Sequence, residues 1–172
     1  MRLSCNLVHA FLTVAASAAA LPSRFPKFEL VFTATVSIFN ASSPLAVPEG
    51  SRFRTAIGGG EIKDPRGKKV GEIVPGYGSE TGYVDNGGIA HLDAKELWHF
   101  SDGHFAITEN IGPARIDDVG AARGITRLLF ETDSPTYEKY NGWMLMIITR
   151  VYGSAPNLHL DIFGADPAAL PK

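Results

Sequence analysis

The stretch Phe28-Glu29-Leu30-Val31-Phe32-Thr33-Ala34-Thr35-Val36-Ser37-Ile38 decides the fold class. Phe28, Leu30, Phe32, Ala34, Val36 and Ile38 alternate with Glu29, Thr33, Thr35 and Ser37, the period of two that sets one apolar row on one face of a strand. The chain beyond Ile38 has the same character. Residues 39–50 are small, polar and proline-containing, and read as a loop. Arg52 to Ile57 is extended and runs into Gly58-Gly59-Gly60, where the missing side chains allow a bulge, a bend or the close approach of a ligand. Lys63-Asp64-Pro65-Arg66-Gly67 is a turn, and Lys69 to Val74 a short strand stopped by Pro75-Gly76. Residues 77–85 and 89–100 are extended and are split by Asp85-Asn86-Gly87-Gly88. After Ser101-Asp102-Gly103-His104 the chain returns through Phe105 to Asn110. Ile125 to Thr132, Trp143 to Tyr152 and Leu158 to Phe163 complete the strands. No stretch has the pattern of a three-turn amphipathic helix; 113–123 and 134–141 have room for a single turn each.

Short strands joined by Gly, Pro, Asn and Asp turns, with no crossover helix, specify an all-β antiparallel barrel or sandwich. Glycine, at 18 of 172 residues, gathers at strand ends and in 58–60 and favours a sheet that bends to close. The expectation is a closed antiparallel barrel of about eight to nine strands, whose interior fills with side chains or holds one small ligand.

The N-terminus has a different signature. Arg2, the apolar run Leu7 to Ala16 and the small residues Ser17-Ala18-Ala19-Ala20 describe a cleavable secretory signal, since a membrane span needs about 20 apolar residues. The expected organisation is a signal peptide over 1–20, an exposed lead-in over 21–27, one barrel domain over 28–165 and a tail over 166–172. The protein is expected to be secreted or to reside in the secretory lumen, with Asn40-Ala41-Ser42 as a glycosylation sequon at Asn40. Cys5, the only cysteine, would leave with the signal and take disulfide and thiol chemistry with it. There are 16 basic and 18 acidic residues, a charge of −2 that becomes about −3 without Arg2, and no basic cluster. Nucleic-acid and anionic-membrane partners are disfavoured; a small-molecule ligand is the expected partner, and oligomeric state is not legible.

Candidate chemistry concentrates in the 89–110 hairpin. If Asp102-Gly103 form a two-residue loop, Phe100 faces Phe105, His99 faces Ala106, Trp98 faces Ile107 and Glu96 faces Glu109. One face then carries Asp93, Lys95, His99, Thr108 and Asn110, groups suited to acid/base work unless they merely face water. The other carries Glu96 and Glu109 as a like-charged pair beside Trp98, which repel, share a proton or bracket a cation. Glu131, at a strand end, is a third acid/base candidate or a structural hydrogen-bond acceptor. Arg54 and Arg127 lie in apolar strands and could bind a ligand oxygen or snorkel at the surface. Tyr140 and Trp143 are ligand-wall or core aromatics. His91, His99, His104 and His159 lack metal-ligand spacing, and neither a Gly-x-Ser-x-Gly elbow nor a phosphate loop is present, so no metal and no cofactor are expected.

An ordered set of short motifs extends the barrel expectation. Arg52-x-Arg54, Ile57-Gly58-Gly59, Asp64-Pro65-x-Gly67, Gly71-Glu72-Ile73-Val74-Pro75-Gly76, Leu92-Asp93-x-Lys95, Ser101-Asp102-Gly103, Asn110-x-Gly112, Phe130-Glu131-Thr132 and Tyr140-x-x-Trp143 occur in sequence from Phe28 to Phe163. Their order resembles the domain-of-unknown-function 3237 family, small barrels of calycin-like shape. The resemblance implies a barrel with an internal pocket and raises Asp93, Lys95 and Asn110 as site residues. Two departures bear on the pocket: Tyr77-Gly78-Ser79-Glu80 stands where the family usually has a Gly-Ala-Asp-Trp-like segment, and Lys95 replaces an arginine, losing its planar bidentate grip.

Three functions remain open on these residues. One is a cofactor-independent isomerase or cyclase working by proton transfer, plausible as a step in a biosynthetic route, with Asp93 or Glu131 as base, Lys95 or Arg54 stabilising an oxyanion, and Trp98, Tyr140 or Trp143 shaping the pocket. Another is a lipocalin-like carrier of a small hydrophobic ligand. A buried, pKa-shifted carboxylate distinguishes the first; a wholly apolar pocket fits the second. A structural surface protein, the third possibility, predicts no pocket and an exposed apolar patch.

Overall fold

The computed structural model describes residues 26–39, 44–116, 122–151 and 157–169. The expected signal peptide, most of the lead-in, Asn40 and the last three residues of the tail lie outside them. Ten strands form: β1 Glu29–Phe39, β2 Leu45–Val47, β3 Gly50–Lys63, β4 Lys69–Ile73, β5 Ser79–Asp85, β6 Ile89–Phe100, β7 Phe105–Ile116, β8 Ala122–Thr132, β9 Met144–Val151 and β10 Asn157–Ala165. Glu138–Gly142 and Pro167–Ala169 are single 3-10 turns. Every pairing is antiparallel, and the sheet closes on itself through β1 and β3. The closed barrel expected from the alternation is therefore what the chain forms. It has eight stave positions, two of them built from two strands each. β4 and β5 follow one another between β3 and β6, and β2 extends the position of β1 beside β3.

One local outcome matches expectation and one differs. Strand β3 continues through Gly58-Gly59-Gly60 with a bulge there, since its register with β1 skips Gly58, and Gly59 stands at φ 101°, a conformation that side-chain-bearing residues rarely adopt. The β6–β7 hairpin closes with a longer loop than two residues. Phe100 N–H donates to His104 O and Gly103 N–H to Phe100 O, with Gly103 at φ 88°, a three-residue loop with glycine in the left-handed position. His99 therefore pairs with Phe105, Trp98 with Ala106, Leu97 with Ile107, Glu96 with Thr108 and Lys95 with Glu109. This one-residue shift turns the face of β7 over relative to β6, so Thr108 and Asn110 share a face with Glu96, and Glu109 does not.

The inner surface has two halves. Toward the 101–104 and 133–143 turns it is aromatic. Phe32, Trp98, Phe100 and Phe130 are all at most 4% exposed, and Tyr137 and Tyr140 close over them. Phe32 meets Trp98, Tyr137 and Tyr140 edge-on at 5.9, 5.4 and 5.4 Å between ring centres. The segment carrying the two tyrosines is tied down by Ser134 Oγ donating to Asp102 in the hairpin turn, by Asn141 Oδ1 accepting from Thr132 N–H, and by Asn141 Nδ2 donating to Thr132 O. Edge-to-face rings add to area burial, so this end is a packed plug. Toward the other end the inward side chains are Thr55, Glu80, Val84, Ala90, Leu92, Ala94, Glu96, Thr108, Asn110, Ala114, Thr126 and Thr149: smaller, and in good part polar.

Candidate functional site

Strand register assembles the polar half. Thr55 lies opposite Glu80, Glu80 opposite Ala94, Ala94 opposite Asn110, and Asn110 opposite Leu128, one row across β3, β5, β6, β7 and β8. The next row toward the plug holds Glu96 opposite Thr108. Because inward side chains alternate along a strand, Glu96 is the diagonal neighbour of Glu80, close enough for their charges to interact. The methyl of Ala94 is all that stands between Glu80 and Asn110 in their row. Thr126 follows Leu128 inward along β8, and Thr149 follows Ile147 along β9.

The electrostatics follow from burial. Removal from water, and then the negative charge of Glu96, push the Glu80 carboxyl up from 4.5 to about 7. Burial also raises Glu96, against the pull of the Trp98 indole N–H, which donates to Glu96 Oε2 at 2.7 Å. Two neighbouring carboxyls in one interior cannot both ionise cheaply, so the protonated form of each is favoured over its ordinary balance. Around them are polar atoms with nothing to bond. Asn110 Oδ1, Thr126 Oγ and Thr149 Oγ are buried and make no hydrogen bond among the described residues, although Thr126 is 1% and Thr149 5% exposed. Buried polar groups are ordinarily satisfied, and a cluster that is not is prepared for water or a guest. No lysine, arginine or histidine points inward among the described residues.

The sequence-derived candidates divide between the two sides of this wall. Trp98 and Asn110 are inside. Asp93, Lys95 and His99 point outward from β6; Lys95 pairs with Glu109 at 3.0 Å, which raises its pKa, and His99 stacks on Phe105 at 4.6 Å. Asp93 Oδ1 is buried and unbonded, on the outer face. Glu131 and Arg54 are exposed on the outer surfaces of β8 and β3. The grouping of Asp93, Lys95 and His99 with Asn110 is thus replaced, because the longer hairpin loop carries Asn110 through the wall. The facing pair Glu96 and Glu109 is replaced for the same reason. Tyr140 belongs to the plug, and Trp143 packs edge-on against it at 4.9 Å. Glu80, Thr126 and Thr149 were not singled out by sequence. The one available sign was the unusual segment Tyr77-Gly78-Ser79-Glu80, which places a carboxylate on β5.

No protein-family model matches the chain, and no curated protein matches it by sequence. Solved structures do. A conserved protein of unknown function from Rhodopseudomonas palustris is 23% identical over 81% of this chain and 97% of that one, with a TM-score of 0.69. A beta-barrel like protein from Acinetobacter baumannii AYE is 21% identical over 83% and 98%, TM-score 0.67. A protein described as an enzyme from Penicillium herquei is 18% identical over 81% and 94%, TM-score 0.63. At these identities the likeness is one of fold.

Proposed function

We propose that the polar half of the barrel binds a small organic molecule and moves a proton within it, without a cofactor, using Glu80 and Glu96 as the acid/base pair. The observation that carries this reading is the placement of two neighbouring carboxyls on the inner wall among unbonded Asn110, Thr126 and Thr149. A carrier of apolar guests gains nothing from such a lining and loses stability by it. The carboxylate of the pair takes a proton from an O–H of the guest or from a C–H beside a carbonyl, while the protonated partner returns one at another atom. The guest leaves as an isomer or a closed ring, and proton exchange between the two acids restores the start. A group that titrates near 7 is matched to this work.

The same lining selects the guest. With two acids and no base facing inward, an anionic compound is repelled, whereas a neutral hydroxylated or carbonyl-bearing compound finds acceptors and donors in Asn110, Thr126 and Thr149. That the Penicillium herquei barrel is described as an enzyme is consistent with this reading. Membership of the domain-of-unknown-function 3237 group, export directed by residues 1–20 and glycosylation at Asn40 belong to the same proposal. Native mass spectrometry of the purified chain against matched neutral and carboxylated aromatic compounds tests the selection. Metabolite profiling of strains carrying Glu80→Gln or Glu96→Gln tests the chemistry. Retained guest binding with accumulation of an unconverted precursor is the expected result; a guest released unchanged by the unsubstituted protein would make the barrel a carrier.

A further inference from the structure

The outer wall of the barrel has a feature that the interior chemistry does not use. Across β6 to β9 the outward side chains include Leu97, Phe105, Ile107, Ile111, Ile125, Leu129 and Met144, and Ile107 and Ile125 are 63% and 56% exposed. Register sets them on one face, interleaved with charged residues. Leu97 lies opposite Ile107, Glu109 opposite Leu129, Ile111 opposite Arg127 and Arg127 opposite Met146. Four strands about 4.8 Å apart and eight residues at about 3.3 Å give a flat face of about 500 Å², on which these apolar side chains alternate with charged ones.

Asp93, Lys95, Glu109, Arg127 and Glu131 share this face, and the last two bear on what covers it. Arg127 and Glu131 are exposed on β8, two residues to either side of Leu129, and neither makes an ion pair among the described residues. We infer that a second copy of this chain packs on the face, related by a two-fold axis lying across the strands at Leu129. Such an axis sets Leu129 against its own symmetry mate and each Arg127 against the other subunit's Glu131, twice over. It also sets Ile107, one outward row away, against Ile111 on the opposite side of the axis. Glu109 lies in the axial row and brings its own counter-charge, because Lys95 pairs with it within the subunit. Opposite charges at equal distances from the axis make the face self-complementary there, as an isologous contact requires. A lipid surface has no use for Glu131, and a heterologous partner no use for the symmetry.

Charge reversal tests the contact, read by light scattering coupled to size-exclusion chromatography and by sedimentation equilibrium. The purified chain at about 100 µM is expected to be dimeric and to dissociate on dilution. Arg127→Glu and Glu131→Arg should each weaken the dimer about ten-fold or more, since each opposes like charges twice, while Arg127→Glu combined with Glu131→Arg restores the pairing and most of the affinity. Circular dichroism of each variant confirms that the barrel is intact. A chain monomeric at that concentration overturns the proposal, whether or not it binds liposomes. So does a double reversal no tighter than the single ones, or a dimer indifferent to all three.

Discussion

The two ends of the barrel are made from the same strands by opposite rules. On β6 the inward residues Trp98 and Phe100 fill the plugged end, and Ala90, Leu92 and Ala94 line the other, with Glu96 at the boundary. On β8, Phe130 and Leu128 give way to Thr126 and Gly124. At the plug, polar groups are few and bonded: Thr132 Oγ donates to Phe105 O at 2.6 Å and accepts from Ser134 N–H at 3.1 Å. At the other end the hydroxyls of Thr126 and Thr149 bond to nothing among the described residues, and two acids are held off their ordinary ionisation. One end is packed and bonded, and the other carries polar groups that the described residues leave unbonded.

The contrast can be broken most severely at its boundary. Trp98→Ala should cost about 3 to 5 kcal/mol in urea unfolding, because it empties the centre of the aromatic cluster and leaves Glu96 without its N–H donor. Glu80→Gln acts in the opposite sense and depends on pH. Glu80 in the folded chain holds its proton up to about 7, whereas the unfolded chain releases it near 4.5. The folded state is therefore favoured below the lower value and loses that advantage as pH rises through the upper one. A displacement of this size corresponds to about 3 kcal/mol, so at pH 8 to 9 the glutamine variant should gain up to about that much over the parent protein and, below about pH 4, nothing. Stability curves at the two extremes check it, and a gain present only at low pH would contradict the assignment. The finest comparison is between two threonines. Thr132→Val should cost about 1 to 2 kcal/mol by breaking two hydrogen bonds at the plug, and Thr126→Val should change the guest-free protein by less than about 0.5 kcal/mol. If Thr126→Val proves the costlier, the unbonded hydroxyls are not a prepared surface.

Much of this architecture is legible in the chain. Alternation over Phe28 to Ile38 identifies β1, and the turn chemistry at Asp85-Asn86-Gly87-Gly88 and Ser101-Asp102-Gly103-His104 brackets β6 at its true limits. The site is less legible, for a reason visible in the hairpin. Asp-Gly is compatible with a two-residue or a three-residue loop, and the choice exchanges which of Glu109 and Asn110 enters the barrel. Glu80 poses a harder problem. Strand β5, Ser-Glu-Thr-Gly-Tyr-Val-Asp, has polar and apolar residues on both faces, so no period marks the inner one. Its proximity to Glu96 is a matter of pairing between strands, which local sequence does not encode. Thr126 and Thr149 alternate with Ile125, Arg127, Ile148 and Arg150, a pattern that reads equally well with either face inward.

The divided stave between β3 and β6 falls at the same boundary. β4 backs Trp98 and Phe100, β5 carries Glu80, and Val74 to Gly78 between them are pinned by Val74 N–H to Leu97 O and by Ile57, whose N–H donates to Gly78 O while its O accepts from Gly76 N–H. Substitution within β5 thus alters the polar half of the inner wall while β4 keeps its pairing with Trp98 and Phe100. A lineage built on this barrel could exchange that one short cassette and re-line the wall while keeping the foundation that holds it folded.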